Sequence, residues 1–193
     1  MIAQAVSTYR AVGSRLGLRW LGDQDLSAVS RFGTASNEVE LRRVFAETGF
    51  RALEQGAVAI DALADERLIG TMQYFNASPT IHGLEFAYAI HDASDRGQGF
   101  GAEALGLLSD LMFRERQNCA RQQLIIEITN VASWKTAERC GFLREGLLHA
   151  SGPTDLGENY LYARTRADWT RLRRADVTRS TLPRVGGYRL TRR

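Results

Sequence analysis

A chain of 193 residues, 44% hydrophobic and 24% charged, has the make-up of a soluble globule with one core, which argues against fibrous, mainly disordered and membrane-spanning classes. No apolar run reaches the roughly 18 residues of a bilayer-crossing helix, and Met1-Ile2-Ala3-Gln4 lacks the charged and apolar regions of a signal peptide, so a cytoplasmic location is expected. The net charge of +3 is uneven: residues 164 to 193 hold ten arginines against Asp168 and Asp176, a balance of +8 that leaves −5 elsewhere.

The stretch Gly17-Leu18-Arg19-Trp20-Leu21 alternates like a short strand, and Gly22-Asp23-Gln24-Asp25 supplies turn and cap chemistry before an apolar-periodic helix. A second helix is expected from about Asn37 to Gln55, carrying Val39, Val44, Phe45, Phe50 and Leu53, with Gly56 as its stop. Strands follow at 57–62 and 68–75, joined by the polar connection Ala64-Asp65-Glu66-Arg67. Leu84 to Ile90 alternates cleanly, placing Leu84, Phe86, Tyr88 and Ile90 on one face and Glu85, Ala87 and Ala89 on the other.

After a glycine-rich segment, Phe100, Ala104, Leu107, Leu108, Leu111 and Met112 form a helical stripe that ends near Arg116. A short apolar strand at 124–128 leads through Asn130 to a helix from about Ser133 to Cys140, stopped by Gly141 with Phe142 behind it. Two last strands are expected at 146–149 and 159–163, and the arginine-rich end reads as a tail over 170–193 behind one domain over 1–169. This order implies an α/β protein with a mixed sheet, helices on both faces and parallel crossovers around the glycine segment. Cys119 and Cys140 are too few for a disulfide framework and read as small hydrophobes.

A helix start leaves about four N–H groups unpaired and carries about half a positive charge, so a loop without side-chain bulk can wrap a phosphate there. Arg96-Gly97-Gln98-Gly99-Phe100-Gly101 has that form: its glycines clear the space, Arg96 offers a cation, and Glu103 favours the first turn. The spacing of Arg96, Gly99 and Gly101 resembles the Q/R-x-x-G-x-G/A signature of the GNAT N-acetyltransferases. Asn130-Val131-Ala132-Ser133 and Gly141-Phe142 with Glu145-Gly146 resemble that family's second cofactor element. Leu16 to Leu21 and Tyr160-Leu161-Tyr162 with Trp169 are similar to the branch that acetylates ribosomal-protein N-termini, and the likeness covers roughly residues 15 to 169.

The resemblance implies a mostly antiparallel mixed sheet with a V-shaped split between the fourth and fifth strands. Acetyl-CoA would be the cosubstrate, its diphosphate on Arg96 to Gly101 and its pantetheine beside Ala89 and Ile90, with Asn130 and Ser133 also in contact. The acceptor would be a primary amine of a peptide, a protein N-terminus or a small metabolite, attacking directly in a ternary complex. No metal is needed, and no membrane partner is implied. The runner-up is a non-catalytic acyl-CoA or nucleic-acid binding module, and a homodimer fits either reading.

An attacking amine must be neutral: an α-amine of pKa about 8 is roughly a tenth neutral at pH 7, whereas a lysine is far below one per cent. Glu85, beside small Ala87 and Ala89, is the candidate base, with a plain solvated strand carboxylate as the other reading. Many members carry a tyrosine acid where this chain has Ala137, so Ser133 is the candidate hydrogen-bond donor to the leaving sulfur, with a helix cap as the alternative. Asn130 can both cap and touch the cofactor. Tyr160 and Tyr162 are either alternating strand residues or walls of the acceptor pocket. His82, His91 and His149 lack ligand spacing, and His149 remains a minor candidate base. A nicotinamide-binding reading of Gly97-Gln98-Gly99 fails because position 102 is alanine and no acidic ribose ligand follows.

Overall fold

The computed structural model describes residues 9–32, 38–48, 55–78, 81–149 and 157–172. A two-residue strand β1 (Ala11–Val12) turns into β2 (Leu16–Trp20), which enters helices α1 (Leu26–Phe32) and α2 (Glu38–Thr48). Three strands follow: β3 (Gln55–Ala62), β4 (Arg67–Ser78) and β5 (Ile81–Ile90). Next come α3 (Phe100–Glu115), β6 (Arg121–Glu127), α4 (Val131–Arg139), β7 (Leu143–Leu148) and β8 (Asn159–Thr165). The eight strands make one sheet in the order β1-β2-β3-β4-β5-β6-β8-β7. All neighbours are antiparallel except β5 and β6, the pair joined by the α3 crossover.

Strand alternation divides the core. Val58 and Ile60 of β3 and Leu84 and Phe86 of β5 join Leu105, Leu108, Met112 and Phe113 of α3 and Ala137 of α4 in the main cluster. Ala57 and Ala59 face the other way, against Leu26 and Val29 of α1 and Leu41 and Phe45 of α2. The small residues on that second face let two short helices lie close to the sheet. A buried ion network fixes their entry: Arg19 binds Asp61 through Nε (2.6 Å) and Asp25 through Nη1 (2.7 Å), and Asp25 also accepts the Gly22 N–H (2.8 Å). Burial pushes the Asp61 carboxyl up, against the pull of Arg19.

Several boundaries differ from the sequence expectation. The second helix stops at Thr48 rather than Gln55, because Leu41 and Phe45 are the residues that pack, Val39 lies 77% exposed, and Gln55 and Gly56 pair with Phe75 and Tyr74 as strand. Phe50 and Leu53 lie outside the described residues. The central strand starts at Arg121, not Leu124, since its polar residues find partners: Gln122 donates to Ser109 O (3.0 Å) and accepts from Ser109 Oγ (2.6 Å), and Arg121 pairs with Glu145 (2.7 Å). Residues 166–172 are helical, and 173–193 lie outside the described residues.

Trp169 ties that helical run to α3 through Asp110 (2.8 Å) and the Phe113 ring, and Arg166 adds a second fastening. Arg166 donates to three carbonyls at the end of α3 and just past it: Phe113 (2.8 Å), Arg116 (2.5 Å) and Cys119 (2.9 Å). Its guanidinium also lies over Phe113, 5.2 Å from the ring centre. Phe113 O lies in the last turn of α3, whose carbonyls a helix cannot satisfy internally. Arg166→Ala is therefore expected to destabilise the protein by about 2 kcal/mol, the scale of charge-assisted hydrogen bonds lost from a part-buried site. Equilibrium urea unfolding checks this, with Arg171→Ala, on the exposed side of the same run, expected within about 0.5 kcal/mol of the parent.

Candidate active site

Pairing between β5 and β6 covers Gly83–Arg121, Leu84–Gln122 and Glu85–Gln123 and then stops. Beyond that point β6 remains paired with β8 as far as Glu127–Asn159, and β5 with β4 as far as Ile90. The two strands therefore open into the expected V. Glu85 stands at its apex, half-buried, with Oε2 accepting a hydrogen bond from Gln123 Nε2 (2.8 Å). Glu85, Ala87 and Ala89 lie on the α1–α2 face, opposite to Tyr88.

The V exposes strand edges. His91 N–H donates to Ile69 O, so in the alternating antiparallel ladder Ala89 turns its backbone groups to β4, and Tyr88 and Ile90 turn theirs into the split. Of the two residues expected beside the pantetheine, only Ile90 thus offers main-chain groups to the opening; Ala89 contributes its small, exposed side chain to the other face. Ile90 O is already taken by Arg96 Nε (3.0 Å), and Arg96 Nη2 holds His91 O (2.8 Å). With Nε and Nη2 so engaged, Arg96 braces the end of β5.

The glycine loop has the form required of a phosphate cradle. Gly97 (φ +75°) and Gly99 (φ +83°) occupy the left-handed region, where L side chains strain, and a Cβ on Gly97 would meet nothing within 4 Å. Gly101 lets the first turn of α3 settle on Tyr88, whose ring edge would lie 3.4 Å from an added Cβ. The first helical N–H taken by a carbonyl is that of Glu103, by Gly99 O (3.1 Å), so those of Phe100, Gly101 and Ala102 emerge at the helix end. Gln98 Nε2 folds back on Ser94 O (2.6 Å).

Two ion pairs that sequence reasoning missed pin this loop. Before it, Arg67 of β4 grips the buried Asp95 with two bonds (2.8 and 3.0 Å), holding that carboxyl below its ordinary range. Behind it, Glu103 accepts from Arg15 N–H (2.8 Å), Arg15 Nε (2.9 Å) and Ser14 Oγ (3.1 Å), while Arg15 Nη1 donates to Gln98 O (2.9 Å). No local pattern signals either pair, since the partners lie on different elements.

On the α3–α4 side, Asn130 caps α4 by accepting the Ser133 N–H (3.1 Å), which makes Ser133 the third helical residue and not the cap. Ser133 Oγ lies 3.2 Å from the Tyr88 hydroxyl, a contact that crosses the split. Burial pushes the Tyr88 phenol up, partly offset by Ser133 and Thr136. Ala137 is fully buried in the core. Tyr88 was assigned to a packing face by its alternation; its position between Gly101 and Ser133 is visible only in three dimensions.

Tyr160 and Tyr162 share the α4 face, 6.3 Å apart in a T-shaped pair, and are not brought to the Glu85 side. Tyr162 is wholly buried with its hydroxyl on Glu138 (3.0 Å), its phenol pushed up to about 12 by burial and by Glu138. His149 sits exposed beside Glu158 (2.9 Å), and His91 lies against Thr71 (3.2 Å), lowered by burial. Burial also drives the Cys140 thiol up to about 11. Among the described residues no group of His, Cys, Asp or Glu is arranged to hold a metal ion.

The acetyltransferase (GNAT) domain model matches residues 15–143. The chain belongs to the GNAT acetyltransferase family. No curated protein sequence matches it. Among solved structures, a chimera of spermidine N-acetyltransferase SpeG from Vibrio cholerae with hSSAT is 18% identical, with a TM-score of 0.71 over 81% of this chain and 99% of that one. Aminoglycoside acetyltransferase AAC(6')-Ib in complex with coenzyme A is 17% identical, with a TM-score of 0.67 over 82% and 99%. A GNAT acetyltransferase from Bacillus anthracis is 18% identical, with a TM-score of 0.68 over 80% and 97%. At these identities the likeness establishes a shared mixed α/β fold. Acetyl-CoA is the family's cosubstrate, and the residues here suit it: glycines clear a cradle at a helix start, and a split strand edge offers main-chain partners to an amide-bearing arm.

The Glu103 anchor has a pH signature. Burial raises its carboxyl, but the bonds from Arg15 and Ser14 outweigh this and hold it below its ordinary value of 4.5. A depressed folded-state value contributes stability that is present above pH 4.5 and lost as pH falls through the folded value. In Glu103→Gln the acid limb of a stability-versus-pH curve should be shallower below pH 4.5; urea midpoints between about pH 3 and 7 measure it.

Proposed function

We propose that the enzyme acetylates a primary amine by direct attack on acetyl-CoA in a ternary complex, with Glu85 receiving the proton. The observation that supports this reading is the position of Glu85, where β5 and β6 part company. A thioester entering from the α3–α4 side would meet an amine arriving from the α1–α2 face beside a carboxylate oriented by Gln123.

In this reading the amine nitrogen bonds to the thioester carbonyl carbon, and its proton passes to Glu85 directly or through one water in the space over Ala87 and Ala89. The outward N–H of Ile90 is suited to the developing oxyanion. Carbon–sulfur cleavage then releases the thiolate, toward which Ser133 Oγ, beside the Tyr88 hydroxyl, is the candidate donor. The acceptor we favour is an α-amine of a peptide or protein N-terminus. It is substantially neutral near pH 7, and on this face β5 and β6 place Glu85 and Glu127 as carboxylates, a sparse charge for holding a polycation.

Free-thiol release from acetyl-CoA against N-terminal peptides, polyamines and aminoglycosides tests the acceptor class; turnover confined to the polycations would overturn the α-amine assignment. Glu85→Gln should lower kcat by about 10², and an unchanged kcat rejects the base. Ser133→Ala should lower kcat with the KM for acetyl-CoA little changed, because its hydrogen bond strengthens as the sulfur gains charge.

A further inference from the structure

We propose that Arg15, in the turn between β1 and β2, is a coenzyme A-binding residue that contacts the diphosphate held by the Gly97–Gly101 loop. The inference rests on the acetyl-CoA reading and extends it to a side chain far from the glycine signature. The guanidinium is positioned from three directions: Nε on Glu103 Oε2 (2.9 Å), Nη1 on Gln98 O (2.9 Å), and its carbon 4.6 Å from the centre of the Phe100 ring. Nη2 makes no hydrogen bond among the described residues and lies 3.5 Å from where a Cβ on Gly99 would sit. It rests against the bare glycine surface of the cradle, on a side chain that is 47% exposed.

The electrostatics call for such a cation. Glu103 sits in the first turn of α3, where a carboxylate favours the helix but opposes an incoming dianion. Arg15 and Ser14 draw that carboxylate toward the β1–β2 turn and neutralise it. Arg96, the cation the loop itself supplies, spends Nε and Nη2 on Ile90 O and His91 O. Arg15 thus couples a fixed, planar donor to the protruding N–H groups of Phe100, Gly101 and Ala102, the arrangement in which arginine recognises phosphate oxygens.

Calorimetric titration of the full-length protein with coenzyme A, dephospho-coenzyme A and pantetheine tests the role. In Arg15→Gln, binding of the first two should weaken about tenfold and depend less on ionic strength, while pantetheine binding stays unchanged. The same loss should persist when Arg15→Gln is added to Glu103→Gln. Equal affinity of parent and variant, a loss confined to coenzyme A with dephospho-coenzyme A unaffected, or disappearance of the loss in the Glu103→Gln background would each overturn it. Phenylglyoxal labelling of the parent enzyme, read at the Arg15 peptide, does not depend on the variant folding. Protection by coenzyme A and dephospho-coenzyme A but not by pantetheine is expected, and no protection by either nucleotide refutes the contact. A parent enzyme that binds neither nucleotide would instead remove the acetyl-CoA reading itself.

Discussion

Two parallel strands that pair at one end and separate at the other leave a row of main-chain donors and acceptors without partners, and an unpaired buried peptide group costs roughly as much as a lost hydrogen bond. The site depends on how this protein sustains that opening between β5 and β6. Each strand is secured on its outer edge, β5 by β4 and β6 by β8, so the sheet does not fail when the inner ladder ends at Glu85 and Gln123. At the open end Arg96 satisfies Ile90 O and His91 O, while the Tyr88–Ser133 contact bridges the gap beneath the helices. What remains unpaired is a short strand edge, the kind of surface to which an extended amide chain adds as another strand.

The glycine loop is positioned with equal economy. Its left-handed glycines remove bulk but also remove rigidity, and the restraint comes from elsewhere: Arg67 on Asp95 ahead of the loop, and Arg15 with Ser14 on Glu103 behind it. One anchor joins the loop to β4 and the other to the β1–β2 turn, both distant in sequence, so the helix end that would receive a diphosphate is registered against the same sheet that holds Glu85. Core packing reinforces this through Gly101, which sets α3 directly on Tyr88.

The resemblance to the GNAT family was legible because its two cofactor segments are local: strand, glycine turn and helix at 84–112, and turn, helix and glycine stop at 130–142. Other features were hidden by the same rules that made these visible. Arg121-Gln122-Gln123 looks like a polar loop, yet it is the part of β6 that pairs with β5, because Ser109, Glu85 and Glu145 satisfy its side chains from three other elements. Tyr160 and Tyr162 were open to a pocket role on residue type alone, and the placement of Tyr162 on Glu138 turns on which sheet face α4 covers.

From the amino-acid order alone came the element types, the sheet with helices on both faces, the glycine turn at the start of a helix and the carboxylate on the less crowded strand face, since periodicity, turn chemistry and glycine geometry act over a few neighbouring residues. Only the tertiary structure decided where the β5–β6 ladder ends, that Arg96 braces a strand, and that Arg15 stands beside the loop. These are relations between side chains and backbone groups on separate elements, and their distances exist only once the sheet has assembled.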